Sequence, residues 1–122
     1  MRLIAVKWQS SKKTLVLFKR RDNMSQNNEN KKGKEVLVVV DMQNDFIDGA
    51  LKNEAAMAIV PKVKNKIEQY RKAGALIVFT KDTHYADYLE TQEGRKLPVP
   101  HCIVDTEGWE ISSELEVREE DE

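Results

Sequence analysis

Asp41 directly follows the apolar run Glu-Val-Leu-Val-Val-Val at 35–40. A carboxylate at the end of a buried strand is anchored by rigid core while its oxygens emerge at the sheet edge. That placement holds a general base at fixed geometry in a partly dry pocket. An aspartate there also serves simply to cap the following turn, and residue type alone leaves both readings open. A second concentration of chemistry begins at Asp82-Thr83-His84 and continues through Glu90, Glu93 and His101. Asp-x-His after a strand brings a hard oxygen and an imidazole nitrogen within reach of one cation. A later carboxylate and a second histidine complete a mixed N/O set suited to zinc, iron or manganese. Both histidines of the chain fall in this stretch, 17 residues apart, and Pro98 and Pro100 stiffen the approach to His101. The same residues on a solvated loop would carry no ligand, and the two readings stand level. Cys102 adjoins His101, which suits a nucleophile; it also adjoins Ile103, which suits a small packed residue.

The elements that must position these residues are legible in the pattern. The run at 35–40 is continuous, apolar and β-branched, as in a strand buried on both faces of a parallel sheet. Asp41–Asn53 reads as loop. Asn53 is placed to cap a short turn through Glu54–Met57, and Pro61 to open a new helix as its first residue. Val63, Ile67, Tyr70 and Ala73 then recur at helical spacing, with Gly74 as the terminator. Ala75–Thr80 is predicted to be a second buried strand, which closes one βαβ unit. The following loop of roughly 30 residues exceeds ordinary connections, and loops of that length tend to be functional. Residues 110–117 predict a short helix, and Arg118–Glu122 is a charged tail without an apolar partner.

Composition limits what this scaffold can be. The chain has 122 residues, 40% of them hydrophobic and 34% charged, enough for one small domain. No apolar run approaches the roughly 20 residues of a membrane span, and no signal-peptide core is present. One cysteine excludes an internal disulfide and fits a reducing cytoplasm. The net charge of -1 conceals an asymmetry. Residues 1–34 carry ten Lys/Arg against two acids, and the remainder carries ten against nineteen. The basic arm offers only Trp8 and Phe18 as stacking aromatics, so nucleic acid is not expected as a partner, nor is a membrane. Residues 24–34 (MSQNNENKKGK) read as a disordered linker, which makes 1–34 an N-terminal extension without regular structure and 35–122 the folded domain.

Residues 35–110 resemble the isochorismatase-like cysteine hydrolase superfamily, in particular its nicotinamidase-like members. The matching segments, in order, are VLVVVDMQNDFIDGAL (36–51), FTKDTH (79–84), TQEG (91–94) and LPVPHCIVDTEGWE (97–110). The resemblance implies an α/β fold: a three-layer, doubly wound, six-stranded parallel sheet with helices on both faces. It implies a catalytic Asp-Lys-Cys triad whose base matches Asp41, and a pocket-lining aromatic at Phe46. It also implies a divalent metal, Zn, Fe or Mn, held by Asp82, His84 and His101, with Glu93 as the fourth ligand and Glu90 as the alternate. The implied substrate is nicotinamide or a similar small amide, and full-length relatives are expected to be homo-oligomers.

Two departures from the family pattern accompany the resemblance. The family's Lys and nucleophilic Cys come after the GWE segment, and no residue here stands in either place; Cys102 matches a non-catalytic cysteine beside the metal-binding histidine. The chain is therefore expected to be truncated after the first βαβ unit and the metal loop, inactive alone, and prone to association through an uncovered strand at 35–40. Family members also begin a few residues before that strand. Lys19-Arg20-Arg21 can be encoded by a purine run like a ribosome-binding site upstream of Met24, so residues 1–23 are expected to be an untranslated leader.

Overall fold

The run of β-branched residues at 35–40 pairs on both of its edges. The computed structural model describes residues 35–122 in full and the backbone of residues 2–9 and 14–19. Four strands form one sheet: β1 (Arg2–Gln9), β2 (Thr14–Lys19), β3 (Glu35–Val40) and β4 (Leu76–Thr80), in spatial order β2-β1-β3-β4. β3 and β4 are parallel, with Val36 opposite Leu76 and Val40 opposite Thr80, so Asp41 and Lys81 leave the sheet at the same edge. Leu37, Val39 and Ile77 are buried. Stiff branched side chains of this kind pack well on a pleated surface.

β1 runs parallel to β3, from Arg2 opposite Glu35 to Lys7 opposite Val40, and β2 returns antiparallel to β1. The arm was expected to lack regular structure, and these two stretches correct that expectation. The sum of charge over 34 residues masks two short runs rich in strand formers, with Ile4, Val6 and Trp8 in one and Thr14, Val16 and Phe18 in the other. The linker predicted at 24–34 and the start predicted at Met24 lie outside the described residues.

Between the parallel strands runs α2 (Glu54–Lys72), preceded by the short α1 (Asn44–Ile47). Asn53 caps α2 by accepting a hydrogen bond from the N–H of Ala55 at 2.9 Å. Gly74, at φ 74, ends the helix in the conformation that glycine adopts most cheaply. The predicted break at Pro61 does not occur, for α2 continues through it. An interior proline costs about 3 kcal/mol. The buried stripe Ala56, Val60, Val63, Ile67 extends across it, and full burial of a Val or Ile is worth about 1.5–3 kcal/mol each. One unbroken stripe outweighs one lost hydrogen bond, and Pro61 itself faces water.

The core gathers Leu37, Val39, Val60, Ile67 and Ile77 with Met42, Ile47 of α1 and Leu115. The helix expected at 110–117 is only a 3₁₀ turn at Ser113–Leu115, closed by Glu116 at φ 53. Its preceding residues do other work. The N–H of Asn44 donates to the carbonyl of Glu110 at 2.9 Å, and the N–H of Ser112 to that of Met42 at 3.0 Å. This short ladder fastens the end of the long loop to the segment after β3. The charged tail is also engaged: Asp121 pairs with Arg71, and the backbone of Glu122 bonds Ile77 and Phe79 on the outer edge of β4. Among the described residues, no helix is long and apolar enough to cross a membrane.

Candidate active site

Asp41 sits where the sequence placed it, one residue beyond β3, in the left-handed region at φ 53. Its N–H meets the carbonyl of Thr80 at 3.2 Å, and the Thr80 hydroxyl donates to Oδ1 at 2.8 Å. The end of β4 thus fixes both the backbone and one oxygen of the carboxylate.

Asp82 and His84 leave β4 on the same edge. His84 Nε2 lies 3.1 Å from Asp82 Oδ2, and His101 Nε2 lies 3.5 Å from the same oxygen. His101 is brought in by a parallel bridge: the N–H of His84 donates to the carbonyl of Cys102, and that of Val104 to the carbonyl of His84, both at 2.9 Å. His101 Nδ1 lies 2.8 Å from the carbonyl of Val99. A carbonyl only accepts, so Nδ1 carries the proton and Nε2 offers its lone pair to the cluster. Asp82, His84 and His101 could hold one metal ion, their ligand atoms lying within 4.8 Å of one another. Donors about 2.0–2.1 Å from a tetrahedral zinc stand roughly 3.3–3.5 Å apart. The two pairs that share Asp82 Oδ2, at 3.1 and 3.5 Å, lie near that spacing, and the donor types suit such an ion.

Glu93 Oε1 reaches to 4.0 Å from His84 Nε2, from α3 (Gln92–Lys96). Glu90, the alternate, is exposed on the 3₁₀ turn Tyr88–Glu90 and does not line the cavity. A cavity of about 380 Å³ collects Asp41, Phe46, Asp82, Glu93 and His101, with Leu51, Asn53 and Leu97 completing its wall. That volume lies in the range of small-molecule sites. The ring of Phe46 meets His101 edge-on at 5.6 Å.

Three residues that shape the site drew no role from the sequence. Gln43, fully buried, bonds both backbone groups of Asp82 and the carbonyl of Trp109. Asp45 accepts from the N–H of Cys102 at 2.7 Å and of Ala50 at 3.0 Å. Tyr88, 1% exposed, packs edge-on against both histidines and donates its hydroxyl proton to the carbonyl of Leu97 at 2.8 Å. An aromatic and a glutamine within loop sequence carry no period to betray their burial.

Cys102 does not face the cavity. It is fully buried, and its thiol is pushed up to about 12 by burial first and then by Asp82, Asp45 and Asp41. Such a thiol keeps its proton at neutral pH and is a poor nucleophile.

A carboxylate and an N/O cluster that could hold a metal ion thus stand at the carboxyl edge of parallel strands, where open α/β sheets bind ligands. The isochorismatase domain family matches residues 35–122, and the chain belongs to that family. Among solved structures it is similar to the pyrazinamidase of Pyrococcus horikoshii in complex with zinc, at 35% identity and a TM-score of 0.60, over 73% of this chain and 49% of that one. It is equally similar in sequence, at 35% identity and a TM-score of 0.64, to the N-carbamoylsarcosine amidase of Thermoplasma acidophilum, with the same coverage. An isochorismatase family protein of Desulfovibrio vulgaris subsp. vulgaris str. Hildenborough shows 28% identity and a TM-score of 0.60, over 70% of this chain and 48% of that one. The chain spans about half the length of these relatives. A search of curated proteins found no significant match.

Proposed function

We propose that this chain carries the base, pocket and metal ligands of a cysteine amidohydrolase acting on nicotinamide or a similar small amide. The observation that carries the reading is the convergence of Asp41, Asp82 and His101 on one cavity, with His84 completing the cluster beside it. Two of the similar structures are named as amidases, one of them in complex with zinc. A divalent ion, zinc, iron or manganese, would be held by Asp82, His84 and His101 with Glu93 as fourth donor. It would supply a Lewis-acid contact that orients a ring nitrogen or carbonyl of the substrate.

The chain's own residues divide the remaining work. Asp41, with Oδ1 committed to Thr80, takes the proton of an attacking thiol. Phe46 and Leu97 offer apolar wall to a flat ring. In the reaction the thiolate adds to the amide carbon, the C–N bond breaks, and the nitrogen leaves as ammonia with the proton that Asp41 took. Water then hydrolyses the thioester. The only thiol of this chain is Cys102, buried and protonated, so the chain by itself forms no acyl-enzyme.

Titration of the chain with nicotinamide, followed by NMR with and without one equivalent of zinc, tests the reading. Signals of Asp41, Phe46 and His101 should shift only when zinc is present, and His84→Ala should drop bound zinc well below one equivalent. Absence of zinc binding, or shifts confined to other residues, would overturn the proposal. No ammonia should appear in either arm; turnover abolished by Cys102→Ala would make Cys102 the nucleophile.

A further inference from the structure

Gln43 stands outside the cluster of ligand atoms, yet it touches the peptide groups that aim one of them. Its side-chain Oε1 accepts from the N–H of Asp82 at 2.7 Å, and its Nε2 donates to the carbonyl of the same residue at 2.9 Å. The second Nε2 proton goes to the carbonyl of Trp109 at 2.8 Å. One amide therefore grips Asp82 from both sides, as a neighbouring strand would. The peptide planes before and after its Cα are fixed, and with them the direction of its Cβ. Rotating the amide by half a turn would set Oε1 against two carbonyls, so only one orientation satisfies all three partners.

The grip extends one residue further. Trp109, held by Gln43 at its carbonyl, donates its indole N–H to Thr83 Oγ1 at 2.8 Å. Thr83 lies between Asp82 and His84. Gln43 is 0% exposed, so no water competes for these bonds.

We infer that Gln43 is a positioning residue for the metal site: it sets the carboxylate of Asp82 for a divalent cation shared with His84 and His101. The inference rests on the reading of those three residues as metal ligands. Groups one shell out from a metal typically change its affinity 10- to 100-fold when removed. Nearly isosteric Gln43→Met keeps the volume and removes all three bonds. Gln43→Glu keeps the acceptor for the Asp82 N–H but faces two carbonyls with an oxygen.

The experiment measures zinc affinity of the whole chain by competition with a chromophoric chelator, and the visible spectrum of the cobalt-loaded protein. Gln43→Met and Gln43→Glu should each weaken zinc at least about 10-fold and alter the cobalt bands at saturation. Ile77→Ala, a core change of comparable disruption, should lower thermal stability while leaving zinc affinity and cobalt bands as they are. Parent-like affinity and spectra in both Gln43 variants would overturn the inference, as would equal weakening in Ile77→Ala. A parent chain that binds no zinc would instead overturn the metal reading beneath it. If both Gln43 variants lose the native far-UV signal, the unmodified chain carries the test. Zinc should then shift the Gln43 side-chain amide and the Asp82 N–H together and slow their exchange; zinc saturation that leaves them unmoved would overturn the inference.

Discussion

Two non-glycine residues at the site hold left-handed backbone, Asp41 at φ 53 and Cys102 at φ 47. Each such conformation costs about 1–2 kcal/mol and persists only where surroundings enforce it. Thr80 enforces the first through both the N–H and the carboxylate, and Asp45 the second through the N–H of Cys102. Cys102 is thereby locked as a packed residue beside His101. Its burial predicts that iodoacetamide at pH 8 labels the native, metal-free chain at least about 100-fold more slowly than the urea-unfolded chain. Equal rates would show the thiol to be open. A pH dependence follows from the same cause. The folded thiol is raised from 9.0 to about 12, so the folded state retains a proton that the unfolded state gives up first. The stabilisation is complete below about pH 9 and is lost as pH rises from there towards 12. Lysines and tyrosines titrate in the same window, so the comparison is with Cys102→Ala, whose unfolding free energy should fall less steeply above pH 9.

At the scale of elements, the loop after β3 acts as a clamp on the long loop after β4. Gly108 shows how close the two lie: a Cβ there would stand 2.2 Å from Asp45 Oδ2 and 2.4 Å from Oδ1. Asp45 cannot yield without releasing the Cys102 N–H and, with it, the turn that carries His101. Gly108→Ala should therefore lower stability by about 1–3 kcal/mol, as overpacking does, and weaken zinc binding as well. Gly74→Ala has open space around its Cβ and a positive φ. It should cost about 1 kcal/mol through the backbone alone and leave zinc affinity unchanged. Urea midpoints and zinc titrations of the two variants check the contrast; a Gly108→Ala protein matching Gly74→Ala in both would show the clamp to be slack. The β3–α2–β4 unit was legible because apolar residues with a period, a cap at Asn53 and a stop at Gly74 announce it. The clamp was not, because Gln43, Asp45 and Tyr88 are ordered by contacts across the chain. Asp41, Phe46, Asp82, His84, Glu93 and His101 were named from the sequence; five of them line one cavity, and His84 stands 3.1 Å from Asp82 beside it. What the pattern could not give was the means of holding them there. Pro61 and the 110–117 segment misled for a related reason, local preference yielding to burial in one case and to a loop-to-loop ladder in the other.

For the molecule as a whole, the decisive contact is the one between the basic arm and the domain. Sequence reasoning treated residues 1–23 as foreign to the fold and left the Val-rich strand with an open edge. In the structure β1 covers that edge over its full length, from Arg2 opposite Glu35 to Lys7 opposite Val40, and β2 seals β1 in turn. A bare edge of this composition, apolar and without proline, is a template for pairing with other chains. The backbone N–H and C=O groups along it would either meet water or find another strand, and at protein concentrations of tens of micromolar another strand is at hand. Unpaired backbone groups also weigh against a net stability of about 5–15 kcal/mol for a small domain. A chain begun at Met24 should therefore sediment as dimers and larger species and melt over a broad range, whereas the 122-residue chain should sediment as a monomer and unfold cooperatively. Adding Pro at Val38 of the shortened chain, where the ring removes a backbone donor, distinguishes edge pairing from general unfolding. It should reduce association only if the free edge of β3 drives it. A shortened chain that remains monomeric and melts sharply would mean that β3 needs no cover and that β1 contributes nothing to the fold.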